Sequence, residues 1–213
     1  MMTDDAFDTG AGELEQMALE ECVKRQRLDH HVSVLIMPAL RSDLATRFAQ
    51  QGAQVVMADA PDCRSEIEGR ILSSEQRNQI RFVPYTFPAL PQNPPTEPYD
   101  IIVLHRSLCR LPYGEAKQLI RDLMKKLRIG GKLYLSILGL HSELGDNYPD
   151  AGCDIQARFS PLAPERAAQY GIEGPVCLYS ERNLFLLLLE SGASVLRTFT
   201  STYGNVKAVA VRV

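Results

Sequence analysis

The stretch Val34-Leu35-Ile36-Met37-Pro38-Ala39-Leu40-Arg41-Ser42 runs from an apolar strand into a proline-containing turn. An amphipathic helix over 43–51 leads out of that turn, and Gly52 caps it. A second strand over 54–58 then ends at an acidic residue, Asp59. A strand–turn–helix–strand unit closed by a carboxylate is the ribose-gripping half of a nucleotide site. The other half, a turn built of glycines, is missing: residues 34–51 contain none.

The same alternation continues downstream. Residues 99–104, Tyr-Asp-Ile-Ile-Val-Leu, are nearly all apolar, as expected of a strand covered on both faces. Ala116, Leu119, Ile120, Leu123, Met124 and Leu127 form one helical stripe. Lys125, Lys126 and Arg128 crowd the end of that helix, where cations suit the dipole, and Gly130-Gly131 is expected to stop it. A strand over 132–138 follows. Near the C-terminus, Ser180 caps a helix over 181–191 and Gly192 ends it. Two last strands, 194–200 and 206–213, flank Gly204-Asn205 and predict an antiparallel hairpin. The fold expected is α/β: a Rossmann-like, doubly wound, mostly parallel sheet with helices on both faces and one antiparallel C-terminal hairpin strand.

Tyr99-Asp100, the strand, the helix ending Leu-Arg-Ile-Gly-Gly and the following Lys-Leu-Tyr-Leu-Ser together resemble the central part of class I S-adenosylmethionine-dependent methyltransferases. The resemblance covers roughly residues 32–138 and resumes over 179–213. In that family the first strand ends in an acidic residue followed by Gly-x-Gly-x-Gly. Here Ile36 holds the acidic position, and Pro38, Leu40 and Ser42 hold those of the glycines. The resemblance implies S-adenosylmethionine as cofactor, with Asp59 on the ribose and Pro38, Leu40, Thr86 and His105 around the remainder. It also places His105, Arg106 and Ser107 where cofactor and substrate meet, with His105 and His141 as candidate bases.

The departure from the glycine pattern has physical consequences. Glycine lets backbone approach a ligand and adopt positive φ. Pro38 removes an N–H, and Leu40 puts a large side chain in the ligand's path. Ser42 remains a good N-cap for a helix whose N–H groups face outward. Three readings follow: a small-molecule methyltransferase with an atypical cofactor loop, a catalytically inactive methyltransferase-like binding or scaffold protein, and a domain holding another adenosyl ligand at Asp59.

Composition narrows the partners. The 213 residues are 45% hydrophobic, ample for one domain over 1–213 with its own core. A net charge of −3 with scattered Lys and Arg exerts no pull toward nucleic acid, so none is expected as substrate. A small-molecule substrate or a protein partner fits better. The N-terminus is acidic (Asp4, Asp5, Asp8) with no apolar core, and 185–189 is too short to span a bilayer, so a cytoplasmic protein is expected. Phe185 to Leu189 reads as a buried helix. Five cysteines lie 24 or more residues apart without Cys-x-x-Cys, so neither a metal site nor a disulfide framework is expected. Residues 1–31 read as an N-terminal helical extension, laid over either the sheet edge or the crevice. Residues 84–98 hold six prolines and read as an extended loop. Residues 141–178 read as an insert covering the substrate site, with Tyr148, Arg158 and Tyr170 as candidate substrate contacts.

Overall fold

The computed structural model describes residues 12–28, 31–39, 43–91 and 98–213. The readings placed on Asp4, Asp5, Asp8, Leu40, Ser42, Pro94 and Pro95 lie outside these described residues.

Along the chain run α1 (Glu13–Gln26), β1 (Ser33–Met37), α2 (Leu44–Gln50), β2 (Gln54–Asp59), α3 (Arg64–Ser73), β3 (Ile80–Pro84), β4 (Tyr99–His105), α4 (Tyr113–Lys126) and β5 (Leu127–Ile137). The insert holds β6 (Ser160–Pro161), α5 (Pro164–Tyr170) and β7 (Pro175–Val176), and the chain closes with α6 (Glu181–Glu190), β8 (Ser194–Thr200) and β9 (Val206–Val211). Seven strands form one sheet in the order β3-β2-β1-β4-β5-β9-β8. Neighbouring strands are parallel except at β9, which is antiparallel to both β5 and β8. The chain winds outward from β1 to β3 and then returns to β4 on the other side of β1. The switch point therefore lies between β1 and β4, beside Pro38.

Strand alternation sorts the core into two layers. Ile101 and Val103 of β4 face Leu14, Ala18 and Cys22 of α1 and Leu44 and Phe48 of α2. Tyr99, Ile102 and Leu104 face the other way, toward α4, α6 and the insert. The α4 stripe is buried as its spacing requires, from Ala116 to Leu127.

Two local readings are corrected, and one helix had not been read. The Gly130-Gly131 pair does not stop α4; Leu127 already has extended backbone (φ −75°, ψ 150°), and both glycines lie within β5. Gly130 takes φ 76°, and a Cβ on Gly131 would lie 2.8 Å from the Arg128 carbonyl oxygen and 3.1 Å from that of Tyr99. The pair thus serves close strand contact at a bulge of the β4–β5 ladder. The greasy run of α6 is only half covered: Leu184, Leu187 and Leu188 are buried, while Phe185 and Leu189 are exposed at 41% and 54%. Helix α3, with only Ile67 buried, has too thin an apolar stripe to be read from periodicity.

Helix α1 lies on the sheet face and packs against β4, β5, β9 and α2. Its C-terminal end is held by charge. Asp100 is fully buried and meets Arg25 at 3.1 Å and Arg128 at 3.0 Å, and it accepts the Ser33 backbone N–H at 2.9 Å. Glu21 pairs with Arg25 at 2.8 Å and with Lys132 at 2.7 Å. Among the described residues no helix is long and apolar enough to cross a membrane.

Removing one member of a buried ion cluster leaves its partners poorly solvated, at a cost of about 3 kcal/mol. Asp100→Ala is expected to lower unfolding free energy by about that amount in urea titrations. Asp100→Asn, which keeps an acceptor for Ser33, is expected to lose less.

Candidate functional site

The parallel strands β1 to β5 end at one edge of the sheet, where Pro38, Asp59, Tyr85, His105 and Leu138 collect. Open parallel sheets receive ligands at this edge, next to the switch point. A cavity of about 530 Å3 lies there, lined by Pro38, His105, Arg106, Ser107, Leu138 and, from the insert, Tyr170, Gly171, Ile172 and Glu173. Small-molecule sites span about 300–1,000 Å3. A second hollow, of about 430 Å3 between α1 and α2, contains none of the strand-end residues.

The cavity floor is shaped by the turn after β4. Arg106 adopts φ 49°, a left-handed conformation disfavoured for a side chain with a Cβ. Its N–H donates to the Ser136 carbonyl at 2.7 Å, Ser107 Oγ donates to the His105 carbonyl at 3.0 Å, and the Cys109 thiol donates to the Arg106 carbonyl. Burial pushes the Cys109 thiol up to about 12 and the neighbouring Cys177 thiol to about 11, so neither supplies a thiolate nucleophile at neutral pH.

Of the turn after β1, Pro38 and Ala39 are described. Pro38 has no N–H, and the N–H of buried Ala39 donates to the Ala58 carbonyl at 2.8 Å, extending the pairing with β2. Pro38 does line the cavity. Asp59 is half-buried at the end of β2, with Oδ1 accepting the Ala60 N–H at 2.8 Å. Thr86 is exposed just after β3. Neither residue lines the cavity; both belong to the β2–β3 part of the edge. Between these two parts stands Tyr85, which the sequence reading missed. Its buried hydroxyl is hydrogen-bonded to the Ser107 side chain, and burial together with the Asp59 charge pushes it up to about 12.

His105 is 2% exposed, and its Nε2 meets Glu15 Oε1 of α1 at 2.9 Å. The ladder sets His105 opposite Ser136, and Ser136 opposite Lys207, so three polar side chains form one row across β4, β5 and β9. Ser136 and Lys207 are buried at 1% and 2% exposure, and Glu15 at 0%. Burial works to raise the Glu15 carboxyl, but the His105 hydrogen bond, the His105 charge and the Lys207 ammonium together hold it below the usual carboxylate range. Glu15, Ser136 and Lys207 were also missed. Their signal was a lone charge where the pattern calls for an apolar residue: Glu15 on the Leu14–Ala18–Cys22 face, Lys207 within Val-Lys-Ala-Val-Ala-Val.

Of the insert residues, Tyr170 lines the cavity, and its hydroxyl donates to Glu143 at 2.8 Å. Tyr148 and Arg158 hold the insert together. The Tyr148 hydroxyl donates to the Val176 carbonyl at 2.6 Å. The Arg158 guanidinium reaches the carbonyls of Cys153, Leu178 and Asp150 and the Asn183 side chain. Both are buried, and these hydrogen bonds tie the insert to itself and to α6. His141 is exposed in the turn after β5 and is not part of the cavity wall. Leu40 lies outside the described residues.

No protein-family model matches the chain, and no curated protein matches it. Solved structures do. The CcbJ methyltransferase of Streptomyces caelestis superposes with a TM-score of 0.64 at 13% identity, over 99% of this chain and 96% of that one. The glycopeptide N-methyltransferase MtfA complexed with S-adenosyl-L-homocysteine gives 0.61 at 15% identity, over 93% and 87%. An O-methyltransferase family protein from Burkholderia thailandensis gives 0.63 at 14% identity; 93% of this chain is covered, and it spans 56% of that protein. At such identities the likeness is one of fold. The chain has the fold of class I S-adenosylmethionine-dependent methyltransferases.

Since the Glu15 carboxyl is depressed in the folded state, the unfolded chain takes up that proton first on acidification. The stabilisation is complete above the unfolded value of about 4.3 and is lost as pH falls through the lower folded value. Urea midpoints measured against pH are therefore expected to fall more steeply for wild type than for Glu15→Gln below about pH 4.3.

Proposed function

We propose that this chain is an S-adenosylmethionine-dependent methyltransferase acting on a small-molecule acceptor. The observation that carries the reading is the presence, at one switch-point edge, of the strand-end carboxylate Asp59 and a cavity of about 530 Å3. The ribose half of an adenosyl cofactor fits: Asp59 would accept from its hydroxyls, with backbone near Thr86 toward the base. Pro38 and His105 would adjoin the sulfonium end, where the bound cofactor supplies an electrophilic methyl group. The insert over 141–178 would cover the acceptor, with Tyr170 contacting it. Catalysis of this kind rests mainly on positioning. Five free cysteines suit a reducing compartment, and on that ground we assign the protein to the cytoplasm.

A second reading has its own support. Pro38 has no N–H and the Ala39 N–H is bound to Ala58, so neither of these two described residues offers a ligand the backbone donor that a glycine there would. That favours a catalytically inactive, methyltransferase-like binding or scaffold protein.

Calorimetric titration with S-adenosylmethionine and S-adenosylhomocysteine separates the two. Measurable binding is expected for wild type, weakened in Asp59→Ala by about 1.5–3 kcal/mol, or about ten- to a hundredfold. Absence of binding in wild type would favour the scaffold reading, and tight binding indifferent to Asp59→Ala would remove the ribose contact.

A further inference from the structure

Two arginines and one glutamate line the cavity at the switch-point edge: Arg106 and Arg110 from the turn after β4, and Glu173 from the insert. The chain as a whole has a net charge of −3, so an excess of positive charge on one concave wall runs against its background. Two further carboxylates of the insert are already paired, since Glu143 and Asp146 both meet Arg166, at 3.2 and 2.7 Å. Arg110 is exposed and makes no ion pair among the described residues.

Arg106 is half-buried and sits at φ 49°, ψ 0°. Glycine is the residue that suits this left-handed backbone, and a side chain with a Cβ is strained there. Strain of this kind concentrates where a side chain has a use. The position is fixed at both ends of the peptide, by the N–H on Ser136 and by the Cys109 thiol on the carbonyl. Residues 107–110 form a short 3-10 helix, in which side chains three apart lie one above the other. Both guanidiniums accordingly act on the Cys109 thiol: burial raises it to about 12, against the pull of the Arg106 and Arg110 charges. The Arg110 charge also reaches the Tyr85 hydroxyl, which burial and Asp59 hold up at about 12. Cys109 is itself part of the cavity wall, so both positive charges fall on one side of the cavity. Pro38, Leu138, Ile172 and Val176 make the remainder largely apolar.

We propose that Arg106 and Arg110 bind an anionic group of the methyl acceptor, a carboxylate or a phosphate, whose apolar body packs against Pro38, Leu138 and Ile172. Both anions present oxygens in the spacing that a guanidinium fork matches. Glu173, on the insert side, repels further negative charge, so the acceptor carries one anionic group rather than several. The word acceptor rests on the methyltransferase reading, while the anion site is a property of the cavity alone.

Fluorine NMR titrations of the full-length protein with 4-fluorobenzoate, 4-fluorophenyl phosphate and the neutral 4-fluorobenzyl alcohol test the site without cofactor or turnover. At least one anion is expected to bind about tenfold or more tightly than the alcohol, as a charged hydrogen bond provides, and the tighter of the two names the anion. Anions that bind no better than the alcohol, or that do not bind, overturn the proposal. Arg110→Gln and Arg106→Gly are each expected to weaken the anion about tenfold and to leave the alcohol unchanged. Arg106→Gly also relieves the left-handed backbone, so its urea midpoint is expected to equal or exceed that of wild type. Should that variant fold poorly, Arg110→Gln alone decides, because its side chain is exposed. Anion affinity unchanged in Arg110→Gln overturns the paired site. The titration is then repeated in saturating S-adenosylhomocysteine, where the anion is expected to remain bound. Its displacement assigns the two arginines to the cofactor's own carboxylate and overturns the acceptor role. Anion binding by protein that takes up no S-adenosylhomocysteine supports the anion site and counts against the methyltransferase reading instead.

Discussion

Helix α1 is held down on the sheet at both ends by polar side chains. At the C-terminal end Asp100, with no exposure to solvent, gathers Arg25 and Arg128 and the Ser33 backbone. At the N-terminal end Glu15 meets His105. Between the two, Leu14, Ala18, Leu19 and Cys22 fill the layer against β4 and β1. The apolar stripe alone would tolerate a helix slid along its axis, since hydrophobic burial is non-directional. Two polar contacts, ten residues apart on the helix, allow one setting. That setting brings a carboxylate from the N-terminal segment against the end of β4.

The edge where the parallel strands end has two parts. On the β2–β3 side lie Asp59, Tyr85 and Thr86. On the β4–β5 side, His105, Arg106 and the insert enclose the cavity. The Tyr85 hydroxyl, bonded to Ser107 and close to Asp59, joins the two sides. Between them, Ala39 after β1 is paired back to the Ala58 carbonyl of β2.

Local chemistry made much of the architecture readable. Apolar runs marked the strands, the α4 stripe appeared at its helical spacing, and Ser180 with Asn183 forms the capping box at the start of α6. Gly204 at φ 82° turns the hairpin that supplies the antiparallel strand. Asp59 and His105 were placed at strand ends because a strand end is a feature of sequence pattern. The misreadings share one cause. Gly130-Gly131 looks like a helix stop until the carbonyls of Tyr99 and Arg128 are seen closing on it. Arg158 and Tyr148 look like ligand groups until the carbonyls that take their hydrogen atoms are in view.

By itself the sequence determined the order of strands and helices, the antiparallel ending and the carboxylate at the close of β2, because periodicity, capping and turn chemistry act over a few neighbouring residues. Only the tertiary structure decided that Glu15 and His105, 90 residues apart, share a hydrogen bond, and that Lys207 lies in the same buried row. Registry between strands is set by the burial of whole faces and by a helix clamped across them, and no local pattern encodes which polar side chains that registry will bring together.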